Sequence, residues 1–447
     1  MKFTTEELIF ATSAKVLKNN THGEHFSIST DTRTITPNDI YIGLKGETFD
    51  GENFISQAVN GGAKAYFTRR GTVLNNANLV LQVENPLIAY LQLAKLYLNK
   101  VSPKVIALTG SSGKTTTKEM LKYVCSQKYK THATPLNHNN EVGFCQTILS
   151  MPKDTRVLIL EMGMRGMGEI ELLSKYSNPN ITIITNVGTS HIGRLGSREN
   201  IAKAKCEICS YQKENGIFIA HDSDLIRQNV QFKGEKYYFS LKDVEFIDKQ
   251  PDKTKFEYKN EEYQLNTSGD YNVENAIAVI KAGLYLGIEP DLINNGLKLY
   301  KPVEKRWQVE KIAGYNVIND AYNANPDSMK ASVSTAMEFY DNLVLVLGDM
   351  CELGDYGNLY HEEIGDFIIE HKNPNNKIQV ITVGEYASKI TNRVKLQGID
   401  AVSFSNNSDA VRYIFANIDK SSTIFLKASR AMKFEEIANG LKGEKVL

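Results

Sequence analysis

The segment LTGSSGKTTTKEM has the residue types of a phosphate-binding loop. Lys114 follows Gly110 and Gly113, and the hydroxyl residue Thr115 comes directly after the lysine. Backbone amides at a helix start bind phosphate together with a lysine, and the hydroxyl that follows can ligate Mg²⁺. The general spacing G-x-x-x-x-G-K-[ST] would require glycine where this chain has Leu108. The missing glycine weakens the match but leaves the phosphate-contacting groups in place, so we predict a nucleotide site.

Two side chains with metal-binding chemistry follow apolar runs further along the chain. Glu161 ends the run VLILE, and His191 follows the run ITIITNV in the loop GTSHIGRLGS. Ligands gather at the carboxyl ends of strands in open α/β sheets, so both residues are predicted to lie beside the phosphate loop. Carboxylate suits hard Mg²⁺ better than imidazole does. Cys206 and Cys209 have C-x-x-C spacing without a second pair, and we expect inert thiols.

These residues need elements that place them together. Strand-like apolar runs alternate with helix-period segments throughout, which predicts an α/β fold with parallel sheets. We expect three domains: a small α/β N-terminal substrate domain over residues 1–100, a central parallel-sheet ATPase domain with the phosphate loop over 101–303, and a Rossmann-like C-terminal domain over 304–447. The central strands are predicted in KVIALTG, RVLILEMG, NITIITNVG and NGIFIAH, and the C-terminal ones in YNVIND, NLVLVLGDM, KIQVITVG and STIFLKAS.

Composition excludes several classes of function. The 447 residues include 52 Lys plus Arg and 52 Asp plus Glu, so no global charge favours nucleic acid or an anionic membrane. The five cysteines are scattered and odd in number, which argues against a disulfide framework and for a reducing compartment. The amino terminus lacks signal-peptide features, and no apolar run reaches the roughly 18 residues of a spanning helix. We therefore expect a cytoplasmic protein.

Eleven segments, in order along nearly the whole chain, resemble the Mur ligases, the ATP-dependent amide-forming enzymes of peptidoglycan precursor synthesis. They are DTR, LKGETFDGENFISQAVNGGA, TGSSGKTTT, NHNNEVG, LEMG, TNVGTSHIGRLGS, AKCEI, GDYNVENA, DAYNANPDSM, LGDMCELG and LKASRAM. The family's form of the loop, T-G-x-x-G-K-T-[ST], explains the absent first glycine. DAYNANPDSM resembles the signature of the branch that joins UDP-N-acetylmuramoyl-tripeptide to D-alanyl-D-alanine.

The resemblance implies a reaction and its partners. The terminal carboxylate of the tripeptide attacks the γ-phosphate of ATP, the amine of D-alanyl-D-alanine attacks the resulting acyl phosphate, and phosphate leaves. The implied cofactors are ATP and two Mg²⁺ ions, and we expect a monomer. Alternatives from the residues are another Mur branch, a folylpolyglutamate- or cyanophycin-type ligase, a nucleotide-driven switch, or a retired binding module. The third residue of the tripeptide, lysine or diaminopimelate, stays open.

The resemblance also implies roles for individual residues. The implied catalytic residues are Lys114, Lys205, His191 and Arg306. The implied nucleotide-binding residues are Gly110, Ser111, Ser112, Gly113, Lys114, Thr115, Thr116, Asn275, Arg306 and Asp320. The implied metal ligands are Thr115, Glu161, His191 and Lys205, the last as a carbamylated lysine because an ammonium cannot ligate a cation. The implied substrate-binding residues are Asp31, Thr32, Arg33, Lys45, Asn139, Asn140, Tyr322, Asn323, Asn325 and Ser328.

Overall fold

The computed structural model describes residues 1–303 and 305–443, so the predicted domain boundary at residue 304 and the last residues, 444–447, lie outside the described part. The strands are β1 (Phe3–Thr4), β2 (Lys15–Asn19), β3 (His25–Ser29), β4 (Asp39–Ile42), β5 (Ala65–Thr68), β6 (Leu79–Gln82), β7 (Lys104–Thr109), β8 (Thr131–Ala133), β9 (Val157–Glu161), β10 (Ile181–Ile184), β11 (Ile217–His221), β12 (Glu235–Phe239), β13 (Glu245–Gln250), β14 (Lys253–Tyr258), β15 (Glu261–Leu265), β16 (Gln308–Ile312), β17 (Tyr315–Asn319), β18 (Asn342–Gly348), β19 (Lys377–Val383), β20 (Asp400–Phe404) and β21 (Thr423–Lys427).

The α-helices connect these strands. They are α1 (Thr5–Thr12), α2 (Ile55–Asn60), α3 (Pro86–Val101), α4 (Lys114–Cys125), α5 (Glu141–Ser150), α6 (Glu169–Ser177), α7 (Ile192–Leu195), α8 (Arg198–Cys206), α9 (Asp224–Asn229), α10 (Asp270–Tyr285), α11 (Pro290–Leu299), α12 (Pro326–Phe339), α13 (Gly357–His371), α14 (Ser388–Lys395), α15 (Asn407–Asn417) and α16 (Glu435–Leu441). We call β1 to α3 the N-terminal unit, β7 to α11 the central unit, and the residues from 305 to the end of α16 the C-terminal unit.

Each unit contains one six-stranded sheet. The N-terminal sheet has the order β1-β3-β4-β5-β6-β2, with parallel pairs in its middle and an antiparallel pair at each edge. The central sheet, β12-β11-β10-β7-β9-β8, is parallel throughout. The C-terminal sheet has the order β16-β17-β21-β18-β19-β20, and only its edge pair β16–β17 is antiparallel. The predicted α/β class is confirmed.

The central sheet is buried on both faces, which explains its apolar strands. In β7, Ile106 and Leu108 belong to the core shared with α4 and α10, whereas Val105 and Ala107 belong to the core on the opposite side. Successive side chains of a strand point to opposite faces, so one short run serves both cores. The phosphate loop after β7 is thereby fixed to the middle of the sheet.

The structure adds strands that the sequence analysis does not predict. β13, β14 and β15 form a separate antiparallel sheet of three strands, and β8, β12, β16 and β20 lie at sheet edges. The strands β13 and β14, EFIDKQ and KTKFEY, mix charged residues with few apolar ones, as expected for a sheet with one exposed face. Within residues 1–303 and 305–443, no helix is both long and apolar enough to cross a bilayer.

Candidate active site

A cavity of about 1110 Å³ lies between the central and C-terminal units. The phosphate loop and the loops after β9 and β10 line one side. The loops after β17, β18 and β21 line the other side, so both sheets present their carboxyl ends to the same space. This is the edge at which open α/β sheets bind ligands.

The two glycines of the phosphate loop are needed for close approaches. A Cβ atom on Gly110 would lie 1.8 Å from Oγ1 of Thr185, and one on Gly113 would lie 2.5 Å from Oδ1 of Asn275. Gly113 also has a φ of +79° at the start of α4, a conformation that favours glycine. The predicted glycines are therefore explained by packing, and Asn275 lies directly beside the loop.

Lys114, Thr115 and Arg306 converge on the start of α4. The Lys114 Nζ atom donates to the Gly110 carbonyl at 2.6 Å, and Nη2 of Arg306 donates to Oγ1 of Thr115 at 3.0 Å. Burial lowers the pKa of Lys114, while the charge of Glu161 opposes that shift. The Nε atom of Arg306 is buried without a hydrogen-bond partner among the described residues. The C-terminal unit thus brings an arginine to the phosphate loop, and the contact of Arg306 with a nucleotide stays a prediction.

Glu161 lies at the end of β9 beside the same hydroxyl. The Thr115 Oγ1 atom lies 3.1 Å from Oε2 of Glu161, and Nδ2 of Asn139 donates to Oε1 at 3.0 Å. The sequence analysis does not assign a role to Lys118, whose buried Nζ atom lies 3.7 Å from Oε2 of Glu161. Its position four residues after Lys114, and so on the same side of α4, is a signal that could have found it.

His191 contacts a carboxylate that the sequence analysis also missed. The Nδ1 atom of His191 lies 2.9 Å from Oε2 of Glu352, which follows β18 in the quoted segment LGDMCELG. The hydrogen bond from His191 lowers the pKa of Glu352, and burial partly opposes that shift. The bond leaves Nε2 of the ring as the nitrogen that could hold a metal, which is the usual arrangement of a metal-binding histidine.

Lys205 is buried on α8, with 1% of its surface exposed. Burial lowers the pKa of its ammonium well below the ordinary value, and the charge of Lys114 lowers it further. Only the uncharged amine of a lysine reacts with CO₂, and a lowered pKa favours that form, so the surroundings of Lys205 fit the predicted carbamate. A lysine on the solvated face of a helix would not be buried in this way. Cys206 and Cys209 are buried, and burial raises the pKa of the Cys206 thiol to about 12.

The carboxylate of Asp320, which is predicted to lie near the ribose, already accepts hydrogen bonds from three protein donors. Its Oδ2 atom accepts from Nζ of Lys427 at 2.5 Å and from the hydroxyl of Ser332 at 2.7 Å. Its Oδ1 atom accepts from the backbone N–H of Trp307 at 3.1 Å. Asp320 therefore joins β17, β21 and the start of β16, and its contact with a nucleotide stays a prediction.

Asn325 and Ser328 form the capping box of α12. In addition, Nδ2 of Asn325 donates to the hydroxyls of Ser190 at 2.6 Å and Ser112 at 3.0 Å in the central unit. The neighbouring Asp327 accepts from both the backbone N–H and the hydroxyl of Thr189 at 2.8 Å. These residues hold the two units together around the phosphate loop, and their contact with a substrate stays a prediction.

The remaining predicted substrate residues divide into two groups. Tyr322 and Asn323 line the cavity, whereas Asn140 both lines it and caps α5. The other group lies in the N-terminal unit and does not line the cavity; it consists of Asp31, Thr32, Arg33 and Lys45. The guanidinium of Arg33 lies 2.7 Å from the Asp31 carboxylate. This pair is exposed, and its contact with a substrate stays a prediction.

The donor set at the phosphate loop fits a nucleotide with Mg²⁺. Lys114, the loop amides and Arg306 supply positive charge for phosphate oxygens, and Thr115 with Glu161 supplies oxygen ligands. In the described ranges, no group of three or more His, Cys, Asp and Glu residues could hold a metal by itself. Mg²⁺ ordinarily binds through one or two protein oxygens together with phosphates and waters, so this sparse set is the expected one.

Comparisons with known proteins agree along the chain. Sequence models of the Mur ligase family match in three parts: the family's catalytic domain at residues 25–101, its middle domain at 108–283, and its glutamate ligase domain at 305–430. The UDP-N-acetylmuramoyl-tripeptide–D-alanyl-D-alanine ligase of Bacillus subtilis is 39% identical, with 93% of this chain and 92% of that protein covered. The Escherichia coli protein of the same name is 30% identical, with 93% of each covered.

Solved structures give the same result. A crystal structure of MurF from Acinetobacter baumannii aligns with a TM-score of 0.90 at 29% identity, covering 99% of each chain. MurF ligase from Thermotoga maritima in complex with ADP aligns with a TM-score of 0.83 at 27% identity, covering 94% of this chain and 97% of that one. With the loop, the carboxylate and the converging arginine already in place, these similarities establish that the chain belongs to the Mur ligase family.

Proposed function

We propose that this protein is an ATP-dependent ligase that joins UDP-N-acetylmuramoyl-tripeptide to D-alanyl-D-alanine in peptidoglycan precursor synthesis. One observation carries the proposal: Arg306 of the C-terminal unit reaches Thr115 of the phosphate loop, beside Glu161. A nucleotide switch that only hydrolyses ATP needs no second sheet facing the loop. A ligase does, because the acceptor must reach the activated carboxylate.

Lys114, the loop amides and Arg306 bind the transferring phosphoryl group. Charge accumulates on that group as the carboxylate attacks, and fixed positive groups in a partly buried site stabilise it. Thr115 and Glu161 would hold one Mg²⁺ ion, which supplies further positive charge to the phosphate oxygens when bound. Activation as an acyl phosphate is required because a free carboxylate is a poor acyl donor.

His191 and Lys205 are the proposed ligands of a second Mg²⁺ ion. The buried amine of Lys205 has a lowered pKa and so suits carbamylation, which would turn an amine into an oxygen ligand. His191 keeps Nε2 for this role because Nδ1 is bonded to Glu352. Replacement of Lys205 by alanine should abolish turnover, and loss of ¹³C-bicarbonate labelling at this residue should accompany it.

The three units have separate tasks in this proposal. The N-terminal unit, predicted as residues 1–100, binds the UDP end through Asp31, Thr32, Arg33 and Lys45. The central unit, predicted as residues 101–303, binds ATP, with Asn275 at the adenine. The C-terminal unit binds the acceptor, with Tyr322 and Asn323 in the cavity, and Asp320 lies near the ribose. We expect the protein to act as a monomer.

The test is a requirement for both substrates. Phosphate release and product mass should depend on the UDP-linked tripeptide together with D-alanyl-D-alanine. Full turnover with a single amino acid, or with neither substrate, would refute the proposal. Lys114→Ala should abolish turnover in a folded protein, and Lys122→Ala, on the same helix but outside the cavity, is the matched control. Parallel assays with the lysine and diaminopimelate tripeptides identify the third residue.

A further inference from the structure

The C-terminal unit presents an equal number of acidic and basic side chains to the cavity. Among the described residues of that unit, the acidic ones that line it are Asp320, Asp327 and Glu352, and the basic ones are Arg306, Lys427 and Arg430. Most of these groups already have partners within the protein. The charged groups that remain without a partner indicate which charges a ligand of this cavity carries.

Two of the three carboxylates are committed to the fold. Asp320 is paired with Lys427 inside the C-terminal unit, and Asp327 accepts two hydrogen bonds from Thr189 of the central unit. Glu352 differs, because its side chain is 52% exposed and only Oε2 is bonded, to His191. Its Oε1 atom has no hydrogen-bond partner in the part of the chain that the structure describes, and so can accept from a ligand.

The basic groups divide in the same way. Arg306 reaches Thr115 at the phosphate loop, and Lys427 is paired with Asp320. The exposed guanidinium of Arg430 lies 5.2 Å from the ring centre of Tyr322 and forms no ion pair with any described carboxylate. After the internal pairs are set aside, one carboxylate and one guanidinium remain available on this side of the cavity.

These two side chains lie on neighbouring loops that are joined by a hydrogen bond. Glu352 follows β18 and Arg430 follows β21, which are adjacent parallel strands. The residue before Glu352, Cys351, donates from its N–H to the hydroxyl of Ser429 at 2.9 Å. Ser429 is the residue before Arg430. Adjacent strands are about 4.8 Å apart, so both side chains can contact a ligand of about 7 Å, the extended length of a dipeptide.

We propose that Glu352 and Arg430 bind the two ends of the acceptor, with the Glu352 carboxylate at the ammonium and the Arg430 guanidinium at the carboxylate of a zwitterionic dipeptide. The inference rests on the proposed ligase function and adds the residues that recognise its acceptor. Glu352 also contacts His191, so the ammonium would be bound beside the proposed acyl-transfer centre. A planar guanidinium matches a carboxylate in two parallel hydrogen bonds, which favours a free C-terminus over an amide.

The test compares two acceptors, D-alanyl-D-alanine and its C-terminal amide, at saturating ATP and UDP-linked tripeptide. For Glu352→Gln, KM for the dipeptide should rise about tenfold or more, which corresponds to about 1.4 kcal/mol, while kcat changes less than threefold. Glu352→Asp, which retains the charge, should recover much of the affinity. The wild-type protein should prefer the free acid over the amide, and Arg430→Gln should abolish that preference.

Matched controls are Asp355→Asn and Lys433→Gln, two exposed charges near the same loops that do not line the cavity. Unchanged KM in Glu352→Gln, or an unchanged acid-to-amide ratio in Arg430→Gln, would overturn the inference. A further measurement is the ADP that forms from ATP and the UDP-linked tripeptide when no acceptor is present. If Glu352→Gln lost this ADP formation, the inference would also be overturned, because Glu352 would then act through His191. If the wild-type protein makes no product from D-alanyl-D-alanine, the proposed function fails instead.

Discussion

Replacement of Lys427 by methionine should destabilise the C-terminal unit strongly. Lys427 is 3% exposed and Asp320 is 9% exposed, and Nζ lies 2.5 Å from Oδ2. Methionine retains the apolar stem but leaves a buried carboxylate without its counter-charge. Removing one partner of a buried ion pair costs about 3–5 kcal/mol of unfolding free energy. With a urea m-value of roughly 2–3 kcal/mol/M for a unit of this size, the midpoint should fall by about 1–2.5 M.

The single tryptophan makes this shift measurable in one unit. Trp307 packs against Phe425 of β21 with ring centres 5.8 Å apart, and its backbone N–H donates to Asp320. Its fluorescence therefore reports urea unfolding of the C-terminal unit rather than of the whole chain. Arg412→Met, which removes an exposed ion pair with Asp409 in the same unit, should leave the midpoint unchanged.

A double-mutant cycle decides whether the pair itself is responsible. Asp320→Asn in the Lys427→Met background removes the uncompensated charge, so part of the lost stability should return. The reasoning is refuted if Lys427→Met lowers the unfolding free energy by less than about 1 kcal/mol, or if the double variant is as unstable as the two single variants added together.

Three further predictions concern the phosphate loop, a thiol and a histidine. Gly113→Ala should weaken ATP binding at least tenfold by calorimetry, because its Cβ would meet a side chain at 2.5 Å. Gly168→Ala has a similar φ of +82° but nothing within 4 Å, and it should bind ATP normally; equal losses would contradict the explanation. A maleimide should label Cys351 alone in the native protein, since the other four thiols are buried, and mass spectrometry should find one adduct. Burial raises the pKa of Cys351, so its labelling should accelerate as pH rises above 9.0, and early labelling of a second cysteine would contradict the structure. Burial lowers the pKa of His361 from 6.5, so the unfolded chain takes up more protons and stability should fall as pH falls through that value. Tryptophan fluorescence should show this loss in the native sequence and less of it in His361→Gln; identical profiles would refute the assignment.

The sequence predicted the parts of the site that depend on local pattern. Lys114 and Thr115 lie in one loop, and Glu161 ends an apolar run, so each could be assigned from its neighbours in the chain. The order of parallel strands then brings them to one edge, as a general rule requires. The small sheet of β13 to β15 was missed because its strands carry many charges and bury one face only.

Contacts between units could not be derived from local pattern. Arg306 was assigned only through the family resemblance, since its partner Thr115 lies 191 residues away. Glu352 and Asp327 were within recognised segments, but nothing in the sequence shows that they face His191 and Thr189. Lys118 was overlooked because a lysine on a helix is ordinarily exposed, whereas here its Nζ atom is buried between the Leu136 carbonyl and the Glu161 carboxylate. Such roles depend on how separate sheets pack.

The bonds across the phosphate loop also constrain the order of events in turnover. Asn325 reaches Ser112 on one flank of the loop, and Arg306 reaches Thr115 on the other. Because both flanks are bonded, we expect nucleotide exchange to require that these bonds break and that the C-terminal unit moves away. Release of ADP would then follow this reopening, and the rate of reopening would set an upper limit on the rate of the whole cycle.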